Sequence, residues 1–269
     1  MNETLLIGCG NLGYSITEAF FKKKKKISIV EKNLKNLNLL RKKKTKLITI
    51  YKSFKKINFC RYKYIMICVK PKDLQKLIKQ LNKYIQKSNI IISFVAGIKT
   101  SSLKNFFSSK PLIVRFMPNL SIKYGESVTA VYSENLSVKE KKNLKIFSFF
   151  GILLWLKKEE EIDFFTAFFG GGPAYICYFF QCLQNMLEKK NIKKKVSIEL
   201  IVTLFNGTIN FIEKEKIEFK DLIKRVASKG GTTEKALKYF SQNNRFDSVI
   251  TTAINKAENR SKELSKNQS

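Results

Sequence analysis

Gly8-Cys9-Gly10-Asn11-Leu12-Gly13 follows an apolar run that begins at Leu5, and it opens a segment, Tyr14 to Phe21, that reads as a helix. A G-x-G-x-x-G run between a strand and a helix leaves few folds open. The first glycine permits a tight turn, the second removes a Cβ that would hold the backbone away from a pyrophosphate, and the third lets the helix pack close to the strand. A diphosphate would then rest on the helix N-terminus, where unpaired N–H groups point outward. The spacing therefore predicts a βαβ start that binds a dinucleotide, with Ile7, Gly8, Cys9, Gly10, Asn11 and Leu12 lining the site.

The first half of the chain continues in that style. Leu5–Ile7, Ile27–Val30, Leu47–Tyr51, Tyr64–Val69, Ile90–Phe94 and Leu112–Phe116 are short β-branched apolar runs, and Pro71–Tyr84 between two of them has a helical period. Strands separated by helices give a mostly parallel sheet. A further pair, Ser127–Tyr132 and Gly151–Trp155, brackets a lysine-rich helix expected over Val138–Phe149. From about Glu161 the strand signals fade, and helical periods run through Thr166–Lys190, Ser197–Lys214, Phe219–Val226, Thr233–Ser241 and Asp247–Leu264. We therefore expect an α/β dinucleotide-binding domain over 1–158 and an all-α domain over 159–269, with a frayed polar end from Ser265.

Phe164–Leu187 has no charged residue over 24 positions, the length of a membrane span. Gly170-Gly171-Gly172-Pro173 would break such a span, and Gln181, Gln184 and Asn185 crowd its far end. A helix beginning near Pro173 and apolar on every face reads instead as one buried in a subunit interface. With the chain starting directly on a strand, the expectation is a cytoplasmic protein without a membrane partner.

Composition removes several chemistries. The 269 residues contain no histidine, which excludes the commonest general base and every Ser-His or Cys-His nucleophile. Five cysteines at 9, 60, 68, 177 and 182 form no C-x-x-C pair, so neither a disulfide framework nor a metal site is expected. The formal charge of +31 is spread through the chain with an excess of Ile, Asn and Phe, as an AT-rich coding sequence produces. Runs such as Lys22–Lys26, Lys42–Lys44 and Lys193–Lys195 read as solvated helix ends and loops, with no nucleic-acid partner.

Four further segments carry chemistry. Cys68-Val69-Lys70-Pro71 ends one strand and Ala96-Gly97-Ile98 follows another, and the carboxyl ends of parallel strands are where open sheets hold ligands. Gly170–Tyr175 gives a bare approach to a helix start. Ser228-Lys229-Gly230-Gly231-Thr232-Thr233 leads into a helix, and its exposed N–H groups suit a small carboxylate.

In this order, together with Arg115-Phe116-Met117-Pro118-Asn119, these segments resemble the pyrroline-5-carboxylate reductase family nearly end to end. GGGPAY and SKGGTT are the specific pieces, since Rossmann dehydrogenases in general share only the first motif. The resemblance implies an N-terminal Rossmann domain and a C-terminal all-α dimerisation domain, assembled as a homodimer or higher homo-oligomer. It implies hydride transfer from NADPH or NADH to the C=N carbon of 1-pyrroline-5-carboxylate, giving L-proline. By the same likeness Ser228, Gly231, Thr232 and Thr233 hold the substrate carboxylate, and Thr233, the expected catalytic residue, offers its hydroxyl to the ring nitrogen. Cys68, Val69, Lys70, Pro71, Ala96 and Gly97 join the cofactor set.

The chain departs from the family pattern at Phe169 and Gly171, where serines are usual, and at Lys229, where proline is usual. Leu120-Ser121 stands for Thr-Pro, and Leu12 for methionine. Glu31 closes the second strand 18 residues past Gly13, where a carboxylate would bond a ribose 2′-hydroxyl and repel a 2′-phosphate, while Lys32 blunts that repulsion. Two other readings compete: a Rossmann reductase of the β-hydroxyacid dehydrogenase type, using a lysine among 189–195, and a non-catalytic nucleotide- or nucleic-acid-binding relic.

Overall fold

The computed structural model describes residues 3–42 and 45–266, so Lys43 and Lys44 of the 42–44 run and the last residues from 267 lie outside it. Residues 3–155 hold an eight-stranded sheet in the order β3-β2-β1-β4-β5-β6-β7-β8. The strands are β1 Glu3–Ile7, β2 Ile27–Val30, β3 Ile48–Tyr51, β4 Tyr62–Ile67, β5 Ile90–Ser93, β6 Leu112–Met117, β7 Ser127–Tyr132 and β8 Gly151–Trp155. Every adjacent pair is parallel except β6 with β7.

The helices between these strands cover both faces, which is why successive strand residues are all apolar rather than alternating. Leu6, Ile29, Met66, Ile92 and Phe116 pack with Ile16 and Phe20 of α1 (Asn11–Lys22) and Leu40 of α2 (Leu34–Arg41). Their chain neighbours Leu5, Val30, Ile65 and Ile91 face the other way, onto Leu74 and Ile78 of α3 (Pro71–Leu81) and Leu103 of α4 (Thr100–Phe106).

One expected helix is shorter than its sequence period suggests. α5 spans only Val138–Leu144, and Lys145–Phe150 tightens into a 3-10 helix. That geometry eclipses residues three apart. It stacks the buried rings of Phe147 and Phe150 at 5.8 Å and 14° on the α1 side of the sheet.

Beyond β8 come α6 (Glu161–Phe165), a π-helical turn over Thr166–Gly170, and α7 (Gly172–Lys189), so Phe164–Leu187 is not one continuous α-helix. α8 (Lys194–Glu215), α9 (Phe219–Val226), α10 (Thr232–Ser241) and α11 (Arg245–Lys266) complete the chain. α11 stays helical through Ser265, where fraying was expected. The Ser265 hydroxyl donates to the Ser261 carbonyl and to Asp163, and the Ser261 hydroxyl reaches the same Asp163 oxygen at 2.7 Å.

The chain divides into two compact units. One holds the residues up to Gly172 together with those from Lys256 on, and the other holds Pro173–Asn255. Among the described residues α8 alone is long and apolar enough to cross a membrane, with a mean hydropathy of 1.3 over its apolar stretch.

Candidate active site

The sheet order reverses between β1 and β4, because β1 leads outward to β2 on one side while β4 lies on the other. Such switch points leave a crevice at the carboxyl ends of the strands. Ile7 pairs with Ile67, Ile67 with Ser93, and Ile7 with Val30, so the chain leaves all four strands at one level. The loops carrying Gly8–Gly10, Glu31, Cys68–Lys70 and Phe94–Lys99 therefore emerge side by side at this crevice.

The three glycines of the first loop have separate roles. Gly8 turns with φ +91°, and a Cβ there would stand 2.5 Å from the Cys68 carbonyl oxygen and 2.8 Å from Val69 Cγ1. At Gly13 a Cβ would collide with the Gly8 carbonyl oxygen. Gly10 has open space around its missing side chain and starts α1 with no side-chain cap. The α1 first turn carries no acidic residue. An open glycine beside an uncapped helix start is the shape a diphosphate fits.

Glu31 is 8% exposed and turned into this loop. One carboxylate oxygen accepts the Cys9 N–H at 2.7 Å and the Asn36 side-chain amide at 3.1 Å. The other accepts the N–H groups of Lys32 and Asn33 at 2.6 and 2.7 Å. A carboxylate offers about four lone-pair sites, so these donors occupy its capacity.

Cys9 and Cys68 are not nucleophiles here. Burial pushes both thiols up to about 12, with a Thr17 hydrogen bond partly opposing the rise at Cys9. Lys70 is the N-cap of α3, exposed and making no side-chain cap bond, with Pro71 at the first helical position. Gly97 takes φ +75° between exposed Ala96 and buried Ile98.

Within the helical unit the Ser228–Thr233 segment forms a turn with Gly230 at φ +76°. The Gly231 N–H donates to the Ser228 carbonyl at 3.0 Å, and a Cβ on Gly231 would sit 2.6 Å from Ser228 Oγ. Gly231 is the N-cap of α10 and has no side chain with which to cap it, which leaves Thr232 and Thr233 in the first turn. The Gly230 N–H is held at 2.7 Å by Glu234, whose other oxygen pairs with Lys238 at 3.0 Å. The Gly230 bond and then Lys238 hold the Glu234 carboxyl below the usual carboxylate range. Thr233 also borders an apolar groove of about 720 Å³ between α8, α9 and α10, with Leu204, Phe211, Ile223 and Leu237.

Sequence reasoning assigned no role to one cluster near the crevice. Arg115 on β6 and Glu159, just past β8, form an ion pair at 2.7 Å with side chains 6% and 10% exposed. Glu159 also accepts the N–H and hydroxyl of Thr100 at 2.8 and 2.9 Å. Arg115 lies in the RFMPN motif, but no local pattern could pair it with a residue 44 positions away.

This fold and crevice define a Rossmann-type dinucleotide-binding oxidoreductase with an appended helical unit. A family model described as NADP oxidoreductase, coenzyme F420-dependent, matches residues 4–97. A second, described as pyrroline-5-carboxylate reductase dimerisation, matches residues 159–264. The pyrroline-5-carboxylate reductase of Staphylococcus aureus is 32% identical over 75% of this chain and 74% of its own. That of Staphylococcus haemolyticus is 28% identical over 99% of both chains. The crystal structure of Plasmodium falciparum pyrroline carboxylate reductase with NADP bound superposes with TM-score 0.81 over 98% of both chains at 23% identity, which supports the fold. The chain belongs to the pyrroline-5-carboxylate reductase family.

Proposed function

We infer that this chain reduces 1-pyrroline-5-carboxylate to L-proline with NADPH or NADH, the last step of proline synthesis. The observation that carries this reading is a relative named for that activity at 32% identity over three quarters of both chains. The open Gly10 at the strand tips supports the cofactor half.

Gly8 to Leu12 would hold the diphosphate against the start of α1, with Ile7 beneath. Cys68, Val69, Lys70, Pro71, Ala96 and Gly97 would border the nicotinamide half, and Glu31 the adenosine ribose. When bound, the reduced nicotinamide supplies the hydride. In this reading Ser228, Gly231, Thr232 and Thr233 grip the substrate carboxylate, using the uncapped N–H groups at the start of α10. The Thr233 hydroxyl faces the ring nitrogen.

The reaction asks little acid–base work of the protein. A cyclic imine is protonated readily, and the iminium accepts hydride at carbon while its nitrogen becomes the amine of proline. A chain without histidine can therefore act by holding the reacting carbons at near-attack distance and excluding water.

We take 159–269 as the helical domain through which chains associate into at least a homodimer, each active site being completed by two chains. In support, α7 has no buried residue in a single chain, with Tyr178 70% exposed and Met186 65%. We place the protein in the cytoplasm. The test is consumption of NADPH or NADH by the purified protein with synthetic pyrroline-5-carboxylate and with 3-hydroxy acids as the contrast. Turnover only with the hydroxy acids would overturn the reading.

A further inference from the structure

A buried ion pair seldom adds net stability, because desolvating two charges offsets their attraction. The reason for Arg115–Glu159 must therefore be sought in what it joins. Arg115 is level with Ser93 of β5 and Tyr132 of β7. Ile113, two positions earlier, packs with Leu103 of α4, so strand alternation points Arg115 toward the same layer. There Glu159 meets it and reaches on to Thr100, the first residue of α4.

α4 needs that outside partner. It has no acidic residue in its first turn, and Lys99 at its N-cap makes no side-chain cap bond. Its cap is thus supplied by a carboxylate 59 positions away. Arg115 depends on the same group, since its Nε is buried without a hydrogen-bond partner among the described residues. Glu159 therefore ties three things together: β6, the far end of the Ala96–Lys99 loop, and the segment that runs from β8 into α6. At its near end this loop is anchored by Phe94 N–H on the Ile67 carbonyl and Val95 N–H on Ser93 Oγ. Between Val95 and Thr100 it turns through Gly97 in the left-handed region.

We propose that Glu159 is a positioning residue for hydride transfer, clamping the far end of the 96–99 loop through Thr100 while neutralising Arg115. The proposal rests on the reading that Ala96 and Gly97 border the nicotinamide. It makes loop position, and hence the distance between reacting carbons, depend on a residue that touches neither cofactor nor substrate.

The test compares the full-length wild-type protein with Glu159→Gln, Glu159→Asp, Thr100→Val and Gly97→Ala. For each, kcat and KM are measured alongside Kd for NADPH, Kd for 2′-phospho-ADP-ribose, which lacks the nicotinamide, and Tm. In Glu159→Gln, kcat falls about tenfold or more while Kd for the fragment stays within about twofold of wild type. Thr100→Val, which keeps the ion pair, shows a smaller loss in the same direction, and Glu159→Asp recovers part of it. An unchanged kcat in Glu159→Gln overturns the proposal. So does a parallel fall in fragment affinity and Tm with turnover per bound cofactor intact. If Glu159→Gln does not fold, Thr100→Val decides on the same readouts. Gly97→Ala reports separately on the loop assignment: intact kcat there removes the nicotinamide reading, whatever Glu159 does.

Discussion

The Cys9 N–H donates to a carboxylate oxygen of Glu31 at 2.7 Å, so the end of β2 fastens the glycine loop that leaves β1. With three more N–H donors on the same carboxylate, its charge is directed into the loop. Replacing Glu31 with serine should weaken binding of both cofactors about tenfold, the worth of a charged hydrogen bond. It should also raise the NADPH to NADH ratio of catalytic efficiency as the negative charge leaves. Fluorescence titration and paired kcat/KM values check both parts, and equal losses for the two cofactors would assign Glu31 to the loop alone.

Gly8 and Gly10 should respond oppositely to alanine. At Gly8 the new Cβ meets backbone at 2.5 Å in a left-handed turn, so Gly8→Ala should cost about 2 kcal/mol or more of stability. At Gly10 nothing lies within 4 Å, so Gly10→Ala should melt close to wild type yet bind NADPH at least about tenfold more weakly. Thermal melts and cofactor titrations on the same samples separate the effects.

Thr233→Ala should lower kcat/KM for pyrroline-5-carboxylate by about a hundredfold, the scale of a lost donor at a reacting centre, with Kd for NADPH unchanged. An unaltered kcat/KM would remove Thr233 from the site.

The neighbouring Glu234 predicts a pH effect. Its carboxyl titrates below the usual range because the folded state favours the ionised form. A depressed pKa gives stability that is present above the unfolded value and is lost as pH falls through the folded one. The 228–233 turn should hold from neutral pH down through the ordinary carboxylate range and loosen only in stronger acid. Substrate KM for wild type should therefore show no rise from this group near neutrality, whereas Glu234→Gln should raise KM near neutrality and converge on wild type only in strong acid.

Thiol labelling should report on assembly. Cys177 and Cys182 on α7 and Cys60 are exposed in a single chain, and Cys177 borders an apolar groove of about 520 Å³ between α7 and α8. In the associated protein Cys60 should alkylate rapidly and the two α7 thiols slowly, with the difference vanishing on dissociation. Cys9, buried with its thiol pushed up to about 12, should stay unlabelled until unfolding. Mass spectrometry of timed labelling checks each site.

Much of the α/β unit was legible because a sheet covered on both faces leaves unbroken β-branched runs. β2, β7 and β8 fall where those runs lie, and β4 begins two residues before Tyr64 because polar Lys63 interrupts its run. The glycine loop was equally plain, since backbone shape is what glycine spacing encodes. Packing demands were harder to read. The 3-10 turn at Lys145–Phe150 follows from two rings three positions apart that must stack in the core, and a helical period over 138–149 cannot announce that. The inward turn of Glu31 depends on N–H groups from two loops. The Arg115–Glu159–Thr100 cluster was least visible, because its members lie on separate segments that only the folded sheet brings together.

α11 contributes to both compact units, with Asn255 ending one and Lys256 resuming the other, and Ser261 and Ser265 close onto Asp163. A ribosome therefore releases the whole of the helical unit before it delivers the final piece of the nucleotide-binding one. During translation the first unit must wait, incomplete at Asp163, for a helix made only after the whole of the other unit.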